Sequence, residues 1–287
     1  MIKIKGHSNF EVKIIKYNNK YLIEKSSDLR NADRLQRQID KQISLHDNNF
    51  LDNVNVPKVI KKIKSEYKVF YIMEYISFSE NVIDFIHKGN CLKINWFYNQ
   101  LINIVESYFR KCEIKRVNYK LLFNKINSIQ RNITNNKLIK ENKLKLIFNY
   151  LYENMEYISN QNIPIGICHG DLTFSNILVD NNRMQLYLID FLDSFIESPL
   201  LDIVKIRQDT KYLWTLNLYN HNYDRNKTII ILNYLDKMID NYFQKYDFYV
   251  NCYKYFQIIN LLRVLQYSKN QTITNKLLDN IFEIKIK

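Results

Sequence analysis

Apolar positions along the chain change period twice, and each change marks a change of element. Over the first 25 residues they favour alternation and short runs: Ile2-Lys3-Ile4, then Phe10 to Ile15, then Tyr21-Leu22-Ile23-Glu24-Lys25. Asn18-Asn19 stands between the last two as a turn signal and makes them a predicted hairpin. From 33 to 45 the period lengthens. Leu35, Ile39 and Ile43 fall at i, i+4 and i+8, the stripe of a helix that Asn31 or Asp33 can cap. Residues 56–63 and 67–75 return to strand patterns.

After Ile76 helical stripes dominate as far as Cys168. Ile94, Phe97, Leu101, Ile104, Val105, Tyr108 and Phe109 form one apolar face, and Leu144, Ile147, Leu151, Met155 and Ile158 another. The stretch 113–142 between them is rich in Asn and Lys, with a weaker helical pattern. A hairpin follows, Ile177–Val179 and Gln185–Phe191 around Asn181-Asn182-Arg183. Helices over 199–218, 228–247, 251–267 and 273–284 complete the chain. The pattern predicts an α+β protein. A small antiparallel sheet with one helix occupies 1–76, and a larger, mostly helical part occupies 77–287.

Composition narrows the class. At 287 residues and 46% hydrophobic, the chain can bury a sizeable core in two lobes. It has no run of about 18 apolar residues. The opening MIKIKGHSNFEVKII lacks the apolar run of a signal peptide. No membrane segment is expected. Cys91, Cys112, Cys168 and Cys252 have no C-x-x-C spacing, which speaks against zinc or a disulfide framework and for a reducing cytoplasm. The net charge is +13, but the lysines are spread and no recognition motif accompanies them, so nucleic acid is not an expected partner. The charge suits attraction of phosphorylated small molecules such as ATP.

The chemistry concentrates in one loop and the hairpin after it. His169-Gly170-Asp171 is followed by Asn176, and Asp190 ends the apolar run Leu186 to Ile189. Transfer of a phosphoryl group from a nucleotide needs this set. One carboxylate, Asp171, meets the acceptor hydroxyl; an amide, Asn176, and a second carboxylate, Asp190, hold Mg²⁺ on the phosphates. His169 is expected to shape the loop rather than act as acid or base. Each residue alone is ordinary loop chemistry; their joint order carries the reading.

The run His169-Gly170-Asp171-x4-Asn176 with Ile189-Asp190-Phe191 resembles the aminoglycoside phosphotransferase and choline kinase family, small-molecule kinases with a protein-kinase-like two-lobe fold. Protein kinases carry H-R-D and D-F-G at these places; here Gly170 and Leu192 replace the Arg and the last Gly. The resemblance implies ATP or GTP with Mg²⁺. It implies that Lys25 grips the α- and β-phosphates and that the helix 33–45 supplies an acidic partner for it. That helix offers no glutamate, so Asp40 or Gln38 would substitute. It implies a phosphate-covering loop at Gly6, Ser8 and Asn9. A hinge at Glu74-Tyr75-Ile76 would bind the base, with Met73 behind it. Asp202 would brace the catalytic loop, and Asp193, Glu197 and Asp209 would face a cationic acceptor beside Tyr212, Trp214, Tyr219 and Tyr223.

The function so implied is phosphorylation of a hydroxyl on a sugar, polyol or amino alcohol. The run from Phe191 to Asp209 resembles bacterial phosphotransferases acting on surface-polysaccharide building blocks. A choline, ethanolamine or aminoglycoside kinase is an alternative within the same class. A kinase-like nucleotide-binding regulator without strong catalysis is an alternative outside it, favoured by the thin glycine loop and the absent helix glutamate. Only 12 residues lead from Asp190 to Asp202, too few for the long activation segment of a protein kinase.

Overall fold

The computed structural model describes residues 2–4, 10–48, 51–65, 68–139 and 141–286. The N-terminal elements are β1 (Ile2–Ile4), β2 (Glu11–Tyr17), β3 (Lys20–Asp28), α1 (Ala32–Asp47), β4 (Val54–Asn55), β5 (Val59–Lys64) and β6 (Lys68–Glu74). Five of the strands make an antiparallel sheet in the order β1-β2-β3-β6-β5. The β2–β3 turn puts Asn18 and Asn19 at φ 47° and 60°, the left-handed pair that a tight hairpin needs and asparagine tolerates. Leu35 and Ile39, both fully buried, turn the apolar face of α1 onto Ile23, Val69, Tyr71 and Met73. These residues form a small core of their own.

The chain continues through β7 (Glu80–Asn81), α2 (Val82–Lys88), α3 (Cys91–Phe109), β8 (Glu113–Arg116), α4 (Tyr119–Ile133), α5 (Glu141–Glu153), α6 (Met155–Ser159) and β9 (Asn162–Ile165). Then follow β10 (Ile177–Asp180), β11 (Gln185–Leu188), α7 (Pro199–Thr210), α8 (Trp214–Leu218), α9 (Arg225–Phe243), α10 (Asp247–Leu265) and α11 (Gln271–Ile286). Both predicted stripes, on α3 and on α5–α6, are buried in the large core that these helices share with β10 and β11. Among the described residues no helix is long and apolar enough to cross a membrane. The expected mixture of an antiparallel N-terminal sheet and a mostly helical remainder is the observed one.

Three local expectations change. The stretch read as continuously helical to Cys168 contains an antiparallel pair, β8 with β9. Its strands are short and β8 is exposed throughout, so no apolar alternation marks it. Pro164 is tolerated because each strand of a two-stranded pair is an edge. The helix expected over 199–218 is two, broken where Leu213 takes φ 58°. The break between the next two helices falls at 244–246 rather than 248–250. A smaller sheet, β4-β11-β10-β7, joins the N-terminal segment to the β10–β11 hairpin through a parallel β4–β11 pairing.

Candidate active site

The loop between β9 and β10 is held from beneath by α7. Ser198 caps that helix and Pro199 opens it, which sets Asp202 in its first turn. Asp202 is fully buried, and its two carboxylate oxygens accept the backbone N–H of His169 at 2.6 Å and of Gly170 at 2.9 Å. Burial pushes its pKa up to about 7 against the pull of those two bonds. His169 is likewise buried, and burial lowers its pKa to about 4, so the ring is neutral at pH 7. Its Nδ1 accepts the N–H of Asp171 at 3.2 Å, which leaves the proton on Nε2 to be donated to the carbonyl of Ile189 at 3.0 Å. His169 thereby ties the catalytic loop to the segment carrying Asp190.

Gly170 completes that tie. Its φ is +87°, and a Cβ there would lie 1.9 Å from the carbonyl oxygen of Leu192. The two segments also share the bond from Leu192 N to His169 O at 3.1 Å. The sequence difference Gly170/Leu192 is therefore one structural feature: the backbone of the second residue fills the space beside the first.

Asp171 and Asn176 meet directly. The Asn176 amide donates to the Asp171 carbonyl at 2.8 Å and to Asp171 Oδ2 at 3.2 Å, while Ile189 N donates to the Asn176 carbonyl at 3.0 Å. The expectation that Asp190 ends a strand is not met. β11 stops at Leu188, and Asp190 stands alone at φ 62°, a conformation open to Asp at modest cost. That turn brings its Oδ1 against Lys25 Nζ in an ion pair. Lys25, buried on β3, also donates to Gln38 Oε1 at 3.0 Å and lies 5.0 Å from the centre of the Phe10 ring. Of the two residues open as its helix partner, Gln38 fills the place, and Asp40 instead pairs with Lys62 at the surface. The Gln38 amide nitrogen is buried without a hydrogen-bond partner among the described residues.

The remaining candidates divide. Glu74 accepts the N–H of Lys58 at 2.9 Å, Tyr75 is exposed and edge-on to Tyr21, and Ile76 follows the end of β6. Met73 is buried and receives the Gln42 amide at 3.4 Å. Gly6, Ser8 and Asn9 lie outside the described residues. The three acids expected near an acceptor have other partners. Asp193 pairs with Arg37, and Glu197 pairs with Lys41 at 2.5 Å. Asp209 is buried, where it accepts the N–H of Phe174 at 2.6 Å and of Thr215 at 2.8 Å. Tyr212 is buried, and Trp214, Tyr219 and Tyr223 pack half-buried on the large core.

Two residues at the site escaped the sequence reading. Lys205 Nζ lies 2.8 Å from Asp171 Oδ1, an ion pair rather than an aligned hydrogen bond, and the Arg263 guanidinium lies 3.5 Å from the same oxygen. Lys205 sits three residues after Asp202 on α7, one step along the same helix face, and this spacing was its only signal. Arg263, near the end of α10, had none.

Comparison with known proteins agrees with this geometry. Residues 141–223 match the family model described as the phosphotransferase enzyme family, a span that runs from α5 through the catalytic loop and α8. No curated protein matches the chain in sequence. Among solved structures the chain is similar to APH(2")-IIia in its complex with GDP and kanamycin, at 16% identity over 99% of this chain and 92% of that one, TM-score 0.63. A thermostable mutant of aminoglycoside phosphotransferase APH(4)-Ia, in ternary complex with ADP and hygromycin B, is similar at 10% identity over 99% and 92% of the two chains, TM-score 0.62. A Plasmodium vivax ethanolamine kinase is similar at 14% identity over 99% and 81%, TM-score 0.55. At these identities the likeness is one of fold. The family match covers residues 141–223, and the fold around it is similar to that of the aminoglycoside phosphotransferase and ethanolamine kinase structures.

Proposed function

We propose that this chain transfers the γ-phosphoryl group of a nucleoside triphosphate, ATP or GTP, to a hydroxyl of a small molecule such as a sugar, polyol or amino alcohol. Surface-polysaccharide building blocks belong to that class. The observation that carries the reading is the linked set Asp171–Asn176–Ile189-Asp190–Lys25, in which each member touches the next. The similar structures that hold ADP with hygromycin B, and GDP with kanamycin, support a nucleotide and a small acceptor. In this reading residues 1–76 cover the nucleotide, with the backbone of Glu74, Tyr75 and Ile76 against the base and Ser8 and Asn9 over the phosphates. Residues 77–287 carry the acceptor site. A cytoplasmic location fits four unpaired cysteines.

The residues present suit Mg²⁺. Asn176 uses its amide nitrogen on Asp171, and its amide oxygen accepts no hydrogen bond among the described residues. The second oxygen of Asp190 has no partner among the described residues, and the side chain is about a third exposed. Two protein oxygens form a sparse set, which Mg²⁺ completes with phosphate and water rather than with an all-protein cage. Bound there, Mg²⁺ would neutralise charge on the β- and γ-phosphates.

Asp171 accepts a hydrogen bond from the acceptor hydroxyl and orients its oxygen in line with the phosphorus, and positioning of this kind supplies most of the rate. Lys25, steadied by Gln38, holds the α- and β-phosphates. His169 and Asp202 keep the loop in place. The intact Asp171, Asn176 and Asp190, the first two bonded to each other and the third joined to them through the Ile189 N–H, favour catalysis over a regulator that only binds nucleotide.

The test is binding followed by turnover. Mg·ATP or Mg·GTP is expected to raise the melting temperature, and Asp171→Ala to abolish turnover while leaving nucleotide affinity nearly intact. Absence of any Mg·nucleotide binding would sink the reading.

A further inference from the structure

The Asp171 carboxylate has two sides. Oδ2 lies toward Asn176, and through it toward Asp190 and Lys25. Oδ1 meets Lys205 at 2.8 Å and Arg263 at 3.5 Å. The nucleotide belongs on the first side, so the acceptor approaches from the second. α4 packs against α10 there and adds Lys125. Its ammonium lies 5.5 Å from the centre of the Phe195 ring, and that ring packs against Phe256, two helical turns before Arg263. Burial, and then the nearby Arg263, lower the pKa of Lys125. Among the described residues, neither Lys125, Lys205 nor Arg263 pairs with any carboxylate but that of Asp171.

The other acids of the region do not neutralise this group. Asp193 and Glu197 are held by Arg37 and Lys41, and Asp209 spends its oxygens on two backbone N–H groups. Two cations therefore meet at one carboxylate oxygen, and a third, Lys125, stands close enough to Arg263 for the two to repel each other. Such crowding is unfavourable in the empty protein, and an anion offsets it. A cationic acceptor would meet the same field as repulsion.

We propose that the acceptor carries an anionic group, a carboxylate or a phosphate, near the hydroxyl that is phosphorylated. Arg263 and Lys125 bind that group, and Lys205 positions Asp171. The inference rests on the phosphotransferase reading above. In the transfer the acceptor oxygen forms the new bond to the γ-phosphorus, and the bond from that phosphorus to the β,γ-bridging oxygen breaks. Nucleoside diphosphate leaves, and the hydroxyl proton passes to Asp171 and then to solvent.

Nucleoside diphosphate release is to be measured with sugar phosphates, sugar acids, neutral sugars and polyols, and amino alcohols or amino sugars. Turnover is expected with one of the first two sets, and which of them responds tells phosphate from carboxylate. Arg263→Gln is expected to raise KM for that acceptor by roughly ten- to a hundredfold, the worth of a charge-assisted bond, with a smaller change in kcat. Arg263→Lys is expected to restore part of it. Turnover confined to neutral or cationic acceptors, or a KM unmoved by Arg263→Gln, overturns the inference while leaving the kinase reading standing. Failure to bind Mg·nucleotide removes both.

Discussion

Asp202→Asn separates the stability of the catalytic loop from its function, and the structure fixes the sign. In the native protein one fully buried carboxylate accepts two backbone N–H groups, from His169 and Gly170. Burial nevertheless raises its pKa from 3.8 to about 7. That rise corresponds to about 4 kcal/mol against the charged form at pH 7, and the two hydrogen bonds are already contained in it. Asparagine removes the charge and keeps one acceptor. It turns its NH₂ toward the other backbone donor, an unpaired buried contact costing about 1–3 kcal/mol. The variant is therefore expected to be about 1–3 kcal/mol more stable than the native protein at pH 7, at roughly 2–4 °C per kcal/mol in a chain of this size.

The pH dependence gives a stricter check. A carboxyl whose folded pKa is raised stabilises the protein below its unfolded pKa, and that contribution is lost as pH rises through the folded value. The native protein loses it between about pH 4 and pH 7, and Asp209, raised by burial to about 6, acts in the same direction. His169, lowered to about 4, acts oppositely: the folded state resists its proton, so stability falls as pH falls from 6.5 toward 4. The opposing slopes partly cancel in the native protein. Removing Asp202 exposes the His169 slope, and the stability of the variant relative to native is expected to grow by up to about 4 kcal/mol from pH 4 to pH 7. Turnover is expected to fall by roughly a hundredfold at pH 7, because Asp171 directly follows the two anchored residues, one of which is released. Paired melting curves from pH 4 to 7.5 and nucleotide turnover at pH 7 test this. A variant less stable than native at pH 7, with a gap that does not change with pH, would refute it.

Three further substitutions probe the same framework. Gly170→Ala drives a Cβ to 1.9 Å from a backbone oxygen and is expected to cost about 3 kcal/mol or more, read as a lowered melting temperature with lost turnover. Gln38→Glu removes a buried, unpartnered amide N–H and gives Lys25 a carboxylate on its helix side. Mg·nucleotide affinity is expected to rise roughly three- to tenfold by calorimetry, and weaker binding would show that Lys25 is already fully held. Asp190→Ala leaves Lys25 without its ion-pair partner and removes the carboxylate proposed to hold Mg²⁺. It should weaken Mg·nucleotide binding while affecting metal-free nucleotide binding less, and equal losses would reassign Asp190.

What the sequence made legible was local. The hairpin at Asn18-Asn19, the helix carrying Leu35 and Ile39, and the stripes on α3 and α5 each announce themselves within a few turns of chain, because burial of one face imposes its period directly. The catalytic loop was legible for another reason: Asp171, Asn176 and Asp190 lie within one loop and hairpin, so their spacing is preserved in the sequence. The β8–β9 pair was not, since an exposed strand needs no alternation of apolar and polar positions. The conformation of Asp190 was also hidden, because the apolar run continues past the end of β11.

The acceptor side shows why charge is the hardest property to read. The acids at 193, 197 and 209 follow Asp190 closely and invite assignment to a cationic substrate. In the folded protein each is engaged by another group: α1 supplies Arg37 and Lys41, and the backbone N–H groups of Phe174 in the loop and Thr215 in α8 bind Asp209. The cations that stand beside Asp171 arrive from α7 and α10, and Lys125 of α4 stands near Arg263, all brought together only by helix packing. The sign of the field at a site is set by the charges left after these pairings. Here the acids near in sequence are engaged elsewhere, and the cations distant in sequence remain.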